Sequence, residues 1–312
     1  MEAASTATRA TPTALGVARR RVGEDVIKAL LFLAAFLSVL TTTGIVVSLL
    51  TETLNFFDSV SFTGFLFGTD WSPVIKPQSF GVVPLVTGTF LMTGIALLVA
   101  VPLGLGSAIY LSEYASPRVR KTLKPALELL AGVPTIVFGY FALTFFTPNI
   151  LQDFAKLEVG VFNVLSASII MGFMVIPTIA SVSEDAMSAV PQSLREGSFG
   201  LGATRLQTSL RVVFPAALSG IVASVVLGAS RAVGETMIVL IAAGQIAQIT
   251  ADAREPSFTM TSYIASVAKG DLATGSVQYK TVFAVGMLLF VITLVLNAFS
   301  IRFVRKYRQV YE

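Results

Sequence analysis

Residues 228–244, GASRAVGETMIVLIAAG, place an arginine and a glutamate four positions apart inside a run of alanine, valine and isoleucine. A guanidinium is a planar fork of N–H donors that matches the oxygens of an oxyanion in pairs. A carboxylate beside it tempers that attraction and can take a proton from an anion that carries one. In hydrocarbon an arginine costs about 2.5–3.5 kcal/mol on insertion scales, so Arg231 and Glu235 are kept against a penalty. On one continuous helix, residues four apart share a face, and pairing offsets part of that cost. Arg before Glu is the weaker order for helix support, and two leucines would serve a purely structural helix better. Two readings stay open. One is an ion pair that specifies how the bundle assembles or bridges to a partner helix. The other is an anion path in which Arg231 neutralises the passing charge, Glu235 keeps it from binding too tightly, and Thr236 lies alongside.

The surrounding chain must put these groups in a bilayer. It is 54% hydrophobic and 13% charged, where soluble domains carry about 25% charged residues. With no cysteine and no histidine, it has no disulfide, no thiolate or imidazole metal ligand and no histidine base. No catalytic and no metal site is expected, and a membrane enzyme is the weakest functional class. A crossing of about 30 Å takes roughly 20 apolar residues. Six stretches qualify: 26–50, 83–111, 126–146, 160–179, 215–243 and 279–303. The fold class is therefore an all-α polytopic membrane protein with six spans. The fifth span carries Arg231 about 24 Å along the helix from Pro215, past the midplane. Pro102, Pro134, Pro177 and Pro215 lie in or beside spans, where proline frees a carbonyl and permits a hinge.

Charge orients the bundle. Sixteen basic residues fall on one side: Arg9, Arg19, Arg20, Arg21 and Lys28, then Arg118, Arg120, Lys121 and Lys124, then Arg195, Arg205 and Arg211, then Arg302, Arg305, Lys306 and Arg308. Five fall on the other: Lys76, Lys156, Arg254, Lys269 and Lys280. Positive charge stays inside, so both termini are expected in the cytoplasm. Residues 1–24 are a basic, disordered tail; 25–81 hold the first span and an outer loop; 82–304 form a five-span core; 305–312 are a second tail. The apolar run after Arg21 is too long for a cleaved signal peptide, which predicts an uncleaved anchor. The outer loops 51–82 and 244–278 are substantial, and SFTMTSYIASVAKG (257–270) predicts a short surface helix.

One inner connection, residues 180–214, is unusually long. Its pattern predicts two short amphipathic helices with a bend at Gly200 and Gly202, the first capped by Ser193 with Glu196 three residues on. An exposed apolar elbow of this kind calls for a partner. No G-x-x-x-x-G-K-[ST] occurs anywhere, and the Gly-x-Gly of residues 102–106 and 199–205 follows no strand, so the chain holds no nucleotide site of its own.

Glu196-Gly197-Ser198, Gly202, Val212, Phe214 and Pro215 resemble the EAA loop of bacterial ABC-importer permeases, E-A-A, three residues, G, nine residues, I-x-L-P, at every spacing. Small residues at 197 and 198 keep room for close packing. Residues 101–143, FGTDWSP (67–73) and SRAVGETM (230–237) resemble the PstC-type subunit of phosphate permeases. Sulfate and molybdate permeases are similar around the loop, but have an aromatic after the Gly-Glu where this chain has Thr236.

The resemblance implies a type I importer (MetI-like) fold in a bacterial inner membrane. Arg195, Glu196, Gly197, Ser198, Leu201, Gly202 and Ala203 would form a coupling helix seated on an ATPase. It implies a PstA-type second permease, two PstB-type ATPases and a PstS-type phosphate-binding protein docked on the outer loops. ATP and Mg would sit on the ATPase, with no cofactor on this chain and no nucleic-acid partner. On this reading Glu235 accepts the proton of hydrogen phosphate, which sulfate lacks. A permease for another oxyanion, or an ion-coupled secondary transporter using the same two charges, remains the alternative.

Overall fold

The computed structural model describes residues 22–268, 272–273 and 275–307; of the expected tails 1–24 and 305–312, residues 1–21 and 308–312 lie outside them, as does Lys269, while 22–24 and 305–307 are helical. The elements in order are α1 (Val22–Phe57), α2 (Phe62–Phe67), the strands β1 (Trp71–Ser72) and β2 (Ser79–Phe80), α3 (Val83–Ile109), α4 (Pro117–Ala131), α5 (Thr135–Phe141), α6 (Val164–Ser188), α7 (Gln192–Gly200), α8 (Arg205–Thr208), α9 (Phe214–Ala216), α10 (Leu218–Val233), α11 (Met237–Ala242), α12 (Met260–Val267) and α13 (Val277–Tyr307). Wider π-type turns continue α3 through Tyr110–Tyr114, α5 through Ala142–Phe154 and α8 through Ser209–Val213. The chain divides between Ser48 and Leu49 into two compact units. The first is the leading stretch of α1, apolar and exposed along its length.

Among the described residues four helices are long and apolar enough to cross a membrane: α1, α3, α6 and α13. The count reaches six when each of two bent pairs is one span. The expected third span, 126–146, is one of these. Pro117–Ala131 and Thr135–Phe154 meet at 86°, with Gly132 ending α4 and Pro134 opening α5. Proline has no N–H to continue the α4 ladder, and the residue before it is driven out of helical geometry. The fifth span bends by 74° just after Pro215, and α10 restarts at Leu218. Pro102 and Pro177 lie inside α3 and α6, which run on through them.

α6 is the pillar of the second unit. Asn163 caps it, its Oδ1 accepting from the Ser166 N–H at 2.7 Å. Its window of strongest hydropathy is 67% buried, against 28% for α3 and 11% for α13. Met92, Ala96 and Ala100 of α3 and Ile238, Val239 and Ala242 of α11 pack around Ile170, Met174 and Ile179. α10 also lays Gly220, Ser224 and Gly228, spaced by four, against the same helix. The Ser183 and Ser224 hydroxyls meet at 2.6 Å. A Cβ on Gly220 would stand 2.4 Å from Cβ of Ala186, so the backbones meet only because that position has no side chain.

A second cluster joins Phe56, Phe65, Trp71, Leu85, Tyr263 and Val285, with Trp71 and Tyr263 edge to face at 4.9 Å. α12 belongs to it. The expected surface helix is therefore buried at Met260, Thr261, Ser262, Tyr263 and Val267, and is capped by a reciprocal Thr259–Ser262 pair. The burial of Tyr263 pushes its phenol up to about 12. The two-residue β1–β2 ladder, Trp71 opposite Phe80, is a departure from an all-helical chain.

Gly220→Val should cost about 1–3 kcal/mol by overpacking the α6–α10 seam. The check is an earlier thermal aggregation midpoint in detergent. Gly94→Ala, whose Cβ would meet nothing within 4 Å, should leave that midpoint where it is.

Candidate functional site

The helix carrying the two intramembrane charges is broken between them. α10 ends at Val233 with Gly234 as its C-cap, and α11 begins at Met237 with Thr236 as its N-cap. Arg231 and Glu235 therefore do not share one helix face, and among the described residues no ion pair joins them. The helices part at Gly234-Glu235-Thr236, where Glu235 rather than Thr236 supplies the side-chain cap, and the apolar flanks conceal the break.

Glu235 has become a cap. Its Oε1 accepts from the N–H groups of Met237 at 3.0 Å and Ile238 at 3.3 Å, two donors that the first turn of α11 leaves without helical partners. The carboxylate is buried. The backbone carbonyl of Glu235 accepts from Thr261 Oγ1 of α12 at 2.6 Å. Interrupted backbone at membrane depth must be satisfied from within the protein, and α12 supplies that from a loop segment. Thr236 turns its hydroxyl onto the Gly234 carbonyl at 3.2 Å.

Arg231, partly buried, donates through Nη1 to Thr178 Oγ1 of α6 at 3.3 Å. That neutral contact leaves its charge uncompensated within the described chain. Next to it Ser230 donates to Asn297 of α13 at 3.0 Å, so the end of α10 is tied to two spans.

The elbow forms as two short helices. α7 starts at Gln192 behind Pro191 with no side-chain cap, so the Ser193–Glu196 capping box does not form. The box lies instead at α8, between Thr204 and Gln207. Glu196 and Gly197 are exposed, and a Cβ on Gly197 would meet nothing, so the room kept there is not used inside this chain. Ser198 bonds Thr208 at 2.9 Å, and the Ala203 N–H reaches the Ser198 carbonyl at 3.2 Å, which closes the bend. Gly202 has φ +80°, a conformation that side chains resist. Leu201 at the tip is 91% exposed. Arg195 faces inward and is only 11% exposed, paired with Glu113.

A second ionic cluster escaped the sequence reading. Glu184, fully buried near the end of α6, receives Arg120 and Lys124 of α4, the latter at 2.6 Å, while Lys124 also bonds Asp185 at 2.5 Å. The signal was available: an acidic pair follows the fourth span on the side where a basic run precedes the third. An open cavity of about 570 Å³ lies between these clusters, lined by Glu113, Arg120, Arg195 and Arg205 among others. Arg120 and Arg195 are already taken by carboxylates, so its walls make a poor anion trap.

Residues 100–309 match the family of binding-protein-dependent transport system inner membrane components. The chain belongs to that family. The phosphate transport system permease protein PstC of Haemophilus influenzae is 33% identical over 306 residues, 92% of this chain and 94% of the relative. The probable ABC transporter permease protein YqgH of Bacillus subtilis is 37% identical over 236 residues, 76% of this chain and 75% of its own. The crystal structure of a bacterial alginate ABC transporter, in complex with its periplasmic protein, shares the fold at a TM-score of 0.64 and 17% identity, covering 94% of this chain and all of that one. The MetNI methionine transporter in an inward-facing conformation gives 0.55 at 18%, covering 73% and 96%. The permease is thus the inner-membrane component of an ABC importer that depends on a binding protein, with the MetI-like fold.

In this permease Glu235→Ala should strip α11 of its cap, a loss of about 0.5–2 kcal/mol by analogy with helix N-caps. Amide hydrogen exchange at Met237 and Ile238 should quicken by a matching factor. Glu235→Gln, which keeps an acceptor oxygen, should stay close to the parent.

Proposed function

We propose that the permease is the PstC-type subunit of an ATP-driven importer of inorganic phosphate. What carries the reading is the likeness, over nearly the whole length, to relatives named as phosphate permeases. The chemistry at Arg231 supports it. A guanidinium held by one neutral hydroxyl keeps donors for a tetrahedral oxyanion, and it stands beside an interrupted helix, where transporters often build their sites. With Glu235 occupied as a cap, Arg231 is the group assigned to the passing anion. The proton-accepting role first read into Glu235 gives way to a positioning one.

The assembly follows as part of the proposal: a PstA-type second permease, two PstB-type ATPases holding ATP and Mg, and a PstS-type phosphate-binding protein on the loops around α2, β1–β2 and α12. The basic flanks support an orientation with both termini and the elbow in the cytoplasm of a bacterial cell. Leu201 and the exposed face of α7 would seat in the ATPase, and nucleotide-driven closure would rock the bundle.

The reading is tested by reconstituting the complex in lipid and following radiolabelled phosphate and ATP together. Phosphate uptake should require ATP and the binding protein, with sulfate neither carried nor competing. Uptake of sulfate alone would move the assignment to another oxyanion. Arg231→Gln should lower phosphate uptake about tenfold or more, the worth of a lost charged hydrogen bond. Gly202→Val should uncouple hydrolysis from uptake in an assembled complex. Gly202→Asn, which tolerates positive φ, should retain most of the coupling.

A further inference from the structure

We infer that Arg195 and Glu113 form the joint through which the elbow moves the spans, and that both are positioning residues rather than ATPase contacts. The inference rests on the proposed reading of α7 as the coupling helix.

Arg195 sits on α7, yet its guanidinium turns away from the exposed tip. Nη2 lies 2.9 Å from Glu113 Oε1, and Nε lies 3.3 and 3.4 Å from the two carboxylate oxygens. The same guanidinium donates to two backbone carbonyls, Met187 at 2.8 Å and Val190 at 2.5 Å. Glu113 in turn accepts from Ser112 Oγ at 2.8 Å. One side chain thus fastens three elements: the helix that bears it, the π-turn end of α3, and the carbonyls at the end of α6. The Met187 carbonyl lies in the last turn of α6, where it also accepts from the Val190 N–H at 3.2 Å, and Val190 lies just past that helix, so a cation there also meets the negative end of the helix dipole. The pair is mostly buried, with Arg195 11% and Glu113 9% exposed at the wall of the open cavity.

What lies further along α6 gives the joint a purpose. Thr178, the residue that receives Arg231, is nine positions before Met187, about 13.5 Å up the same helix. α6 packs against α3 more extensively than any other two described elements pack together. A shift of α7 therefore pulls on a rigid rod whose mid-length touches the charge assigned to the anion. Lysine could replace the charge of Arg195 but not the fork that spans a carboxylate and two carbonyls at once.

The test uses the reconstituted complex with binding protein and ATPase, comparing the parent with Glu113→Gln, Glu113→Asp and Arg195→Lys. The readout is anion carried per ATP hydrolysed, with phosphate as the anion, or sulfate should phosphate not be carried, so that the substrate assignment and this inference fail separately. Glu113→Gln and Arg195→Lys should assemble and hydrolyse ATP while the ratio falls about three- to tenfold, the range of couplings carried between distant sites. Glu113→Asp should recover much of the ratio. A ratio within twofold of the parent in both Glu113→Gln and Arg195→Lys overturns the inference. So does loss of ATPase co-purification in Arg195→Lys with an unchanged ratio in the complex that remains, because Arg195 would then be a docking residue. A parent that carries anion without nucleotide would sink the coupling reading itself.

Discussion

Helices dissolved in hydrocarbon gain little by expelling solvent, so a bundle of them holds through close contact and internal bonds. In this permease that requirement falls on α6. Glycines and serines let α10 approach it, α3 runs along it, and α11 closes over it. Several polar features are attached to it: Arg231 at Thr178, the α4 cations at Glu184, and the elbow through the Met187 carbonyl. A rod buried this thoroughly is hard to deform and easy to tilt, because packed interfaces tend to shift between discrete arrangements rather than bend.

Around the rod the chain breaks its helices where sharp bends suit it. The steps at 132–134, 217 and 234–236 each interrupt what composition reads as one span. Each break exposes backbone groups that oil will not satisfy. The break next to Arg231 is the best provided for, with the Glu235 carboxylate on one side and the Thr261 hydroxyl on the other. The acidic residue that looked like a counter-ion is there to finish a helix.

Much of this was legible beforehand. Hydropathy alone finds the spans, because a run of twenty apolar residues has few other uses. The elbow was legible from its spacing, and its bend from Gly202. Missed features depend on contacts between distant residues. The inward turn of Arg195 is decided by Glu113, 82 positions earlier, which no local pattern of α7 reveals. The burial of α12 depends on Trp71 and Tyr263 meeting across nearly two hundred residues. The gap after Arg231 was in principle readable, since a glycine that ends a helix followed two residues later by a threonine that starts one is a stop and a start. Uniformly apolar flanks outvoted it.

Leu201 has a consequence for the life of the subunit in a cell. It stands bare at the apex of a tight glycine turn, where a partner seated on the elbow would cover it. A copy made without its companions leaves that leucine in water, on the sort of exposed loop tip at which proteolytic nicking begins.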